Sequence, residues 1–300
     1  MGKEDKKKII FISTAALMIL AIVLVVGVLG KGGKQSGNTV VCSFYPVYVL
    51  TENLLEGTNV NVVNMTENLT GCIHDYQMTT KDMKALEGAK VLVVNGGGME
   101  SFLSNIKKNY PELAVIETAA THSEEENPHL WMSTDFEMDC IDYVSEALCE
   151  QFPNKKEKIR KNAQKYADEV FEGPYGKRLE LSDRIEESGL DIDCICFNEA
   201  FEVFTEALGL HNIAVFSLDE NEMPSANEIA EAIEKAKKSE NVAVLIEKDL
   251  AFHADKIVNE TGAKVIFIDP LTTGEGTDSY IKGMTENLKA VEEYLDNINK

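Results

Sequence analysis

Short apolar runs of strand length alternate with helical patterns in two blocks, and one long charged helical stretch separates them. In the first block, strands are expected over residues 39–42, 60–63, 90–94 and 114–117, with helices over 47–56 and 100–109. An amphipathic helical pattern covers 134–151. From Asn154 to about Glu187 the chain reads as a long helix. Gly173-Pro174-Tyr175-Gly176 should break or kink it, because proline lacks an amide hydrogen and crowds the preceding turn. Alternation resumes with strands at 193–197, 213–217, 242–247 and 264–268, and helices at 201–208, 226–239, 251–261 and about 277–298. Strands joined through helices imply parallel sheets with helices on their faces. The expected class is therefore α/β, divided into an N-terminal unit (38–152), a linking helical region (153–189) and a C-terminal unit (190–300).

Residues 1–37 form a separate segment, a short cytoplasmic tip, a membrane anchor or signal, and a spacer. Ile9–Gly30 is a run of 22 residues without a charge, and about 20 apolar residues span a bilayer core as a helix. Lys3 and Lys6–Lys8 precede the run and favour a cytoplasmic N-terminus. Val28-Leu29-Gly30 is a poor cleavage site. A lipoprotein signal needs a Cys just after the run, and the nearest is Cys42. An uncleaved signal-anchor with a transmembrane segment fits best, placing the folded part on the extracytoplasmic side of the cell membrane. Lys31–Asn38 is then a flexible spacer.

The formal net charge is −22. Residues 1–37 carry six Lys and two acids, a net +4, so the remainder carries −26. An acidic body of this kind repels phosphate backbones and excludes nucleic acid as a default partner. Cations are its natural counterpart. The six Cys form no CxxC pair, which excludes a zinc ribbon. Most read as small buried hydrophobes, Cys194 and Cys196 on one face of a strand, with Cys42–Cys72 an open pairing.

No GxxxxGK[ST], GxSxG or GxGxxG motif is present. Two of the five His stand in loops after strands: His74 in Gly71-Cys72-Ile73-His74-Asp75-Tyr76, and His129 in Asn127-Pro128-His129-Leu130-Trp131. Loops beyond strand C-termini are where parallel sheets bind ligands, and imidazole suits zinc, manganese and iron sites. Singly, each His is more often a surface or hydrogen-bonded residue. The second block offers oxygen donors at strand ends: Asn198 and Glu199, Glu247, and Asp269. Acids at such positions also cap helices, the plainer reading of Glu199 and Asp269.

In order along the chain, Ser43-Phe44-Tyr45-Pro46, His74-Asp75-Tyr76, Val94–Glu100, Asn127–Trp131, Asn198-Glu199-Ala200-Phe201, Glu222–Ser225, Glu260–Lys264, Asp269-Pro270-Leu271 and Tyr280–Leu288 resemble the zinc/manganese-binding solute-binding proteins of bacterial ABC importers, the metal-binding cluster A-I or ZnuA-like family. The resemblance runs from about Thr39 to Leu295. It implies two Rossmann-like lobes joined by a long helix, with Zn²⁺ or Mn²⁺ bound between them as cargo. It also implies a monomer that serves an ABC importer membrane permease and catalyses nothing. His74 and His129 match the N-lobe ligands and Asp269 a C-lobe ligand. The remaining family ligand, His or Glu, falls on Asn198, whose neutral amide oxygen is a weaker donor than imidazole or carboxylate. Either Glu199 replaces it, or Asn198 coordinates weakly, or the site is degenerate. Zinc-specific members carry a long His-rich loop before the second His. Here the stretch is short and acidic, and His122, Glu124, Glu125 and Glu126 are an auxiliary cation loop or a plain solvated one. Zinc is favoured slightly over manganese. Two other classes stay open: a metal-dependent hydrolase in the same cleft, and an adhesion or structural protein whose metal site has decayed.

Overall fold

The structure is a computed structural model and describes residues 37–67, 73–122, 127–217 and 224–298. The apolar run 9–30, Cys72 and Glu124–Glu126 lie outside the described residues. Among the described residues, no helix is long and apolar enough to cross a membrane.

Two four-stranded parallel sheets form the frame. The first holds β1 (Thr39–Cys42), β2 (Asn61–Asn64), β3 (Val91–Val94) and β4 (Ala114–Glu117), in the order β2-β1-β3-β4. The helices of this half are α1 (Tyr45–Leu55), α2 (Thr80–Gly88), α3 (Leu103–Asn109) and α4 (Thr134–Gln151). Every residue of β3 is buried, as expected of a central strand covered on both faces. The helix α2 lies where no helix is expected from the residue pattern. Its start is a capping box in which Thr79 and Asp82 satisfy each other's backbone amides, a pattern short enough to pass as a loop.

Three helical pieces then link the halves. The helix α5 (Lys156–Val170) runs through a π-helical turn at Phe171–Tyr175 into α6 (Gly176–Ser188). Gly173 has non-helical angles (φ −96°, ψ −109°). The expected disruption is thus a kink that keeps the chain helical. The wider π turn accommodates the missing amide of Pro174.

The second sheet repeats the first. It holds β5 (Ile192–Cys196), β6 (His211–Val215), β7 (Asn241–Ile246) and β8 (Lys264–Phe267), in the order β6-β5-β7-β8. Its helices are α7 (Glu199–Ala207), α8 (Ala226–Ala236), α9 (Asp255–Thr261) and α10 (Ser279–Ile298). Alternate residues of β5 and β7 separate into two cores, as a period of two requires. Cys194, Cys196, Ala243 and Leu245 join a core that continues through the linking helices and the first sheet. Ile195, Phe197, Val244 and Ile246 pack with α8 and α9 on the other side. Cys42, Cys140, Cys149, Cys194 and Cys196 are buried free thiols; Cys72, the partner considered for Cys42, is not among the described residues. Burial pushes the Cys42 thiol up to about 12.

Where the linking helices meet both halves, a carboxyl is enclosed. Tyr166 on α5 donates to Glu137 Oε1 on α4 at 2.9 Å. Burial, against the opposing Tyr166 bond, raises Glu137 from the ordinary 4.5 to about 7. A raised carboxyl costs nothing below its unfolded value, and destabilises progressively as pH rises through the folded one. Glu137→Gln keeps the Tyr166 bond and removes the charge. Relative to wild type, the variant should gain about 3 kcal/mol between pH 4.5 and 8, read by denaturant unfolding at a series of pH values.

Candidate metal centre

His74 sits in a 3-10 turn, Ile73–Asp75, beyond the C-terminal end of β2. Ile73 is buried in the core, and Tyr76 fastens the turn by donating to Asp82 Oδ2 at 2.7 Å. The same Asp82 caps α2, so the overlooked helix is what holds the first histidine's turn.

His129 lies beyond β4 in a loop pinned from two sides. Asn95, at the end of β3, donates to the Pro128 carbonyl at 2.9 Å. Glu100 closes the Asn95–Gly96 turn, its buried carboxylate accepting both amides and the Ser43 hydroxyl at 2.7–2.9 Å. Asn127 Oδ1 accepts from His129 Nδ1 at 2.8 Å, which fixes the tautomer with Nε2 as the free lone pair. Burial first, then the neighbouring His74, lowers the His129 pKa to about 4. A neutral imidazole is the form that binds metal. The two rings approach with centroids 5.8 Å apart.

The second sheet presents oxygens at three neighbouring strand ends. Asn198 follows β5, Glu247 follows β7, and Asp269 follows β8. Asn198 is the N-cap of α7, its Oδ1 accepting from the Ala200 amide at 2.9 Å. The cap is therefore Asn198, not Glu199. Glu199 is exposed at the head of α7. Glu247 is half-buried. Burial raises its carboxyl, Asn198 opposes this, and Asp269 adds to it. Asp269 is exposed, but its backbone is clamped. Buried Asn287 on α10 accepts from the Asp269 amide at 2.9 Å and donates to its carbonyl at 2.8 Å. The next turn places Leu271 at φ +58°, against Gly283, where a Cβ would stand 2.4 Å from the leucine. Asn287→Leu should weaken zinc binding about 10–100-fold by releasing Asp269, measured by chelator competition.

Loops of the two halves touch at this end. Trp131 Nε1 donates to the Pro270 carbonyl at 2.9 Å. Asn127 Nδ2 donates to the Glu199 carbonyl and to Glu202 Oε2, both at 3.0 Å. His129 and Asp269 thus stand beside residues in direct contact. The donors remain two half-sites: among the described residues, no group of three or more His, Cys, Asp or Glu is close enough to hold an ion. His122 is engaged elsewhere, its ring 5.5 Å from Phe136 and its Nε2 3.6 Å from Asp139. A cavity of ≈ 560 Å³ between α1, β2 and residues 272–277 contains none of the candidate donors.

Asn127 and Asn287 are absent from the sequence-based site. Glu247 enters there only as an oxygen donor at a strand end, because its neighbours depend on strand order.

Two parallel sheets bridged by a kinked helix, with donor-bearing loops meeting at their strand ends, define a two-lobed binding protein. The chain belongs to the ZnuA family, described as zinc-uptake complex component A, periplasmic, which it matches over residues 40–294. That family is one of transport binding proteins, not enzymes. It is 25% identical over 292 residues to the zinc-binding lipoprotein AdcA of Streptococcus pneumoniae, covering 86% of this chain and 56% of the relative. It is 24% identical over 230 residues to the manganese-binding lipoprotein MntA of Halalkalibacterium halodurans, covering 72% and 75%. The chain spans about half the length of the AdcA relatives it matches. Its fold is shared with the Zn(II)-bound ZnuA-like domain of S. pneumoniae AdcA, with TM-score 0.68, 24% identity and coverage of 85% and 97%. It is shared equally with the Ni²⁺ complex of FpvC from Pseudomonas aeruginosa, with TM-score 0.71, 21% identity and coverage of 85% and 97%.

Proposed function

We propose that this chain captures a divalent transition metal on the extracytoplasmic side of the membrane and delivers it to an ABC importer permease. His74, His129 and Asp269 are the first ligands. The observation that carries this reading is the His74–His129 pair, with one tautomer fixed, beside the strand-end oxygens of the second sheet. An ion held by two imidazoles alone has unfilled positions, and filling them from the second half-site draws the halves together. The ion thus favours the closed arrangement by its differential affinity, and a permease can distinguish loaded from empty protein. The acidic surface concentrates cations without choosing among them. Zinc is favoured over manganese because a given nitrogen and oxygen set binds it more tightly. The apolar run 9–30 serves as the anchor. Native mass spectrometry of the full chain with zinc and with manganese tests the reading. Retention of one ion per chain is expected, and a chain that keeps neither metal sinks it.

A further inference from the structure

Asn198 is committed in two directions. Its Oδ1 accepts the Ala200 amide at the start of α7, and its Nδ2 donates to Glu247 Oε1 at 3.2 Å. Only the oxygen can accept from an amide, so the nitrogen is the atom turned towards Glu247. An amide nitrogen is no ligand for a cation. Glu199 heads α7, is exposed, and has its carbonyl taken by Asn127.

Glu247 is placed differently. The strand β7 lies between β5 and β8, so the residue after it is flanked by Asn198 on one side and Asp269 on the other. β5 and β7 are also the pair at which the strand order turns, and open parallel sheets bind ligands in the crevice at such a point. Its charged neighbours are Asp269 and Asp249, both acidic. The one hydrogen bond of its carboxylate among the described residues is at Oε1.

We propose that Glu247 supplies the fourth ligand of the metal centre, and that Asn198 holds this carboxylate rather than coordinating. This inference rests on the metal-capture reading. Two neutral imidazoles and two carboxylates carry −2, which balances a divalent cation. Asn198 then acts as a second layer, orienting a ligand as hydrogen-bonded partners of metal ligands do.

The test is competition of the full chain against a chromophoric chelator, with zinc alone and with manganese alone. Glu247→Gln should weaken binding about 100-fold or more, and Asn198→Ala about 10-fold, as loss of a ligand and of its holder respectively. Glu199→Gln should stay near wild type. The melting temperature of each metal-free variant shows that it folds. Zinc-edge X-ray absorption of wild type and Asn198→Ala is independent of how Glu247→Gln folds, and an unchanged ligand count in Asn198→Ala is expected. A lost ligand there overturns the inference. So does wild-type affinity in Glu247→Gln when His129→Ala binds nothing, an outcome that leaves metal capture standing. Failure of the wild-type chain to bind either metal overturns the capture reading instead.

Discussion

His129→Ala should abolish high-affinity metal binding. The imidazole is one half of the approach between His74 and His129, and its Nδ1 is already spent on Asn127. Its removal leaves one candidate nitrogen ligand, His74, on the first sheet. A ligand's loss should exceed the about 10–100-fold typical of its hydrogen-bonded partners. A second readout follows from linkage, since zinc at about 1,000 times Kd stabilises the folded chain by about 4 kcal/mol. Wild type should show that shift in thermal melting and the variant should not. Proton linkage gives a third. His129 titrates near 4 in the folded chain, below the ordinary 6.5. The folded state therefore binds fewer protons than the unfolded one in that interval. The stability this gives is present above pH 6.5 and is lost as pH falls towards 4. His129→Ala should melt with a shallower acid dependence over that range. A variant that keeps the zinc shift would remove His129 from the site.

Trp131→Ala should be the most damaging single change to the fold near the site. Trp131 is the chain's one tryptophan and is only 4% exposed. Its ring meets Phe44 edge-on at 5.0 Å and the His129 ring at 5.2 Å, while its Nε1 reaches across to Pro270. Truncation leaves a cavity under His129 and cuts a tie to the loop that carries Asp269. The expected cost is about 3–5 kcal/mol, measured by denaturant unfolding followed by far-ultraviolet circular dichroism, with metal affinity falling as well. Trp131→Phe separates the two contributions. It keeps an apolar ring, with the smaller part of the packing lost, and removes the donated hydrogen bond, so about 1–2 kcal/mol is expected. Equal effects of the two substitutions would show that the bond to Pro270, not the packing, sets the cost.

Much of the frame is legible from residue types alone. The eight strands fall within a residue or two of the apolar runs, and the central β3, buried on both faces, is apolar throughout. The disruption at Gly173-Pro174 is legible because proline's chemistry is local. His74 and His129 stand out because they occupy loops after strands. The helix α2 is not legible by periodicity, since only Asp82 and Leu86 are buried along it. Asn198 illustrates the other limit. Its identity flags a departure from the family's donor, yet Glu199, the substitute suggested by adjacency in the chain, heads a helix and is exposed.

The sequence by itself determined the class, the repeated strand-and-helix plan, the kinked link and two histidines in loops after strands. Each depends on contacts within a few residues, or on burial that apolar runs announce. Only the tertiary structure decided which side chains share a strand end. The order β6-β5-β7-β8 sets Glu247 between Asn198 and Asp269, 49 residues from the asparagine that donates to it. It also decided that Asn127 and Trp131 reach the second half, and that Asn287 grips Asp269. Those pairings join residues far apart in the chain, and strand order fixes them through crossovers whose length and composition leave the neighbour unspecified.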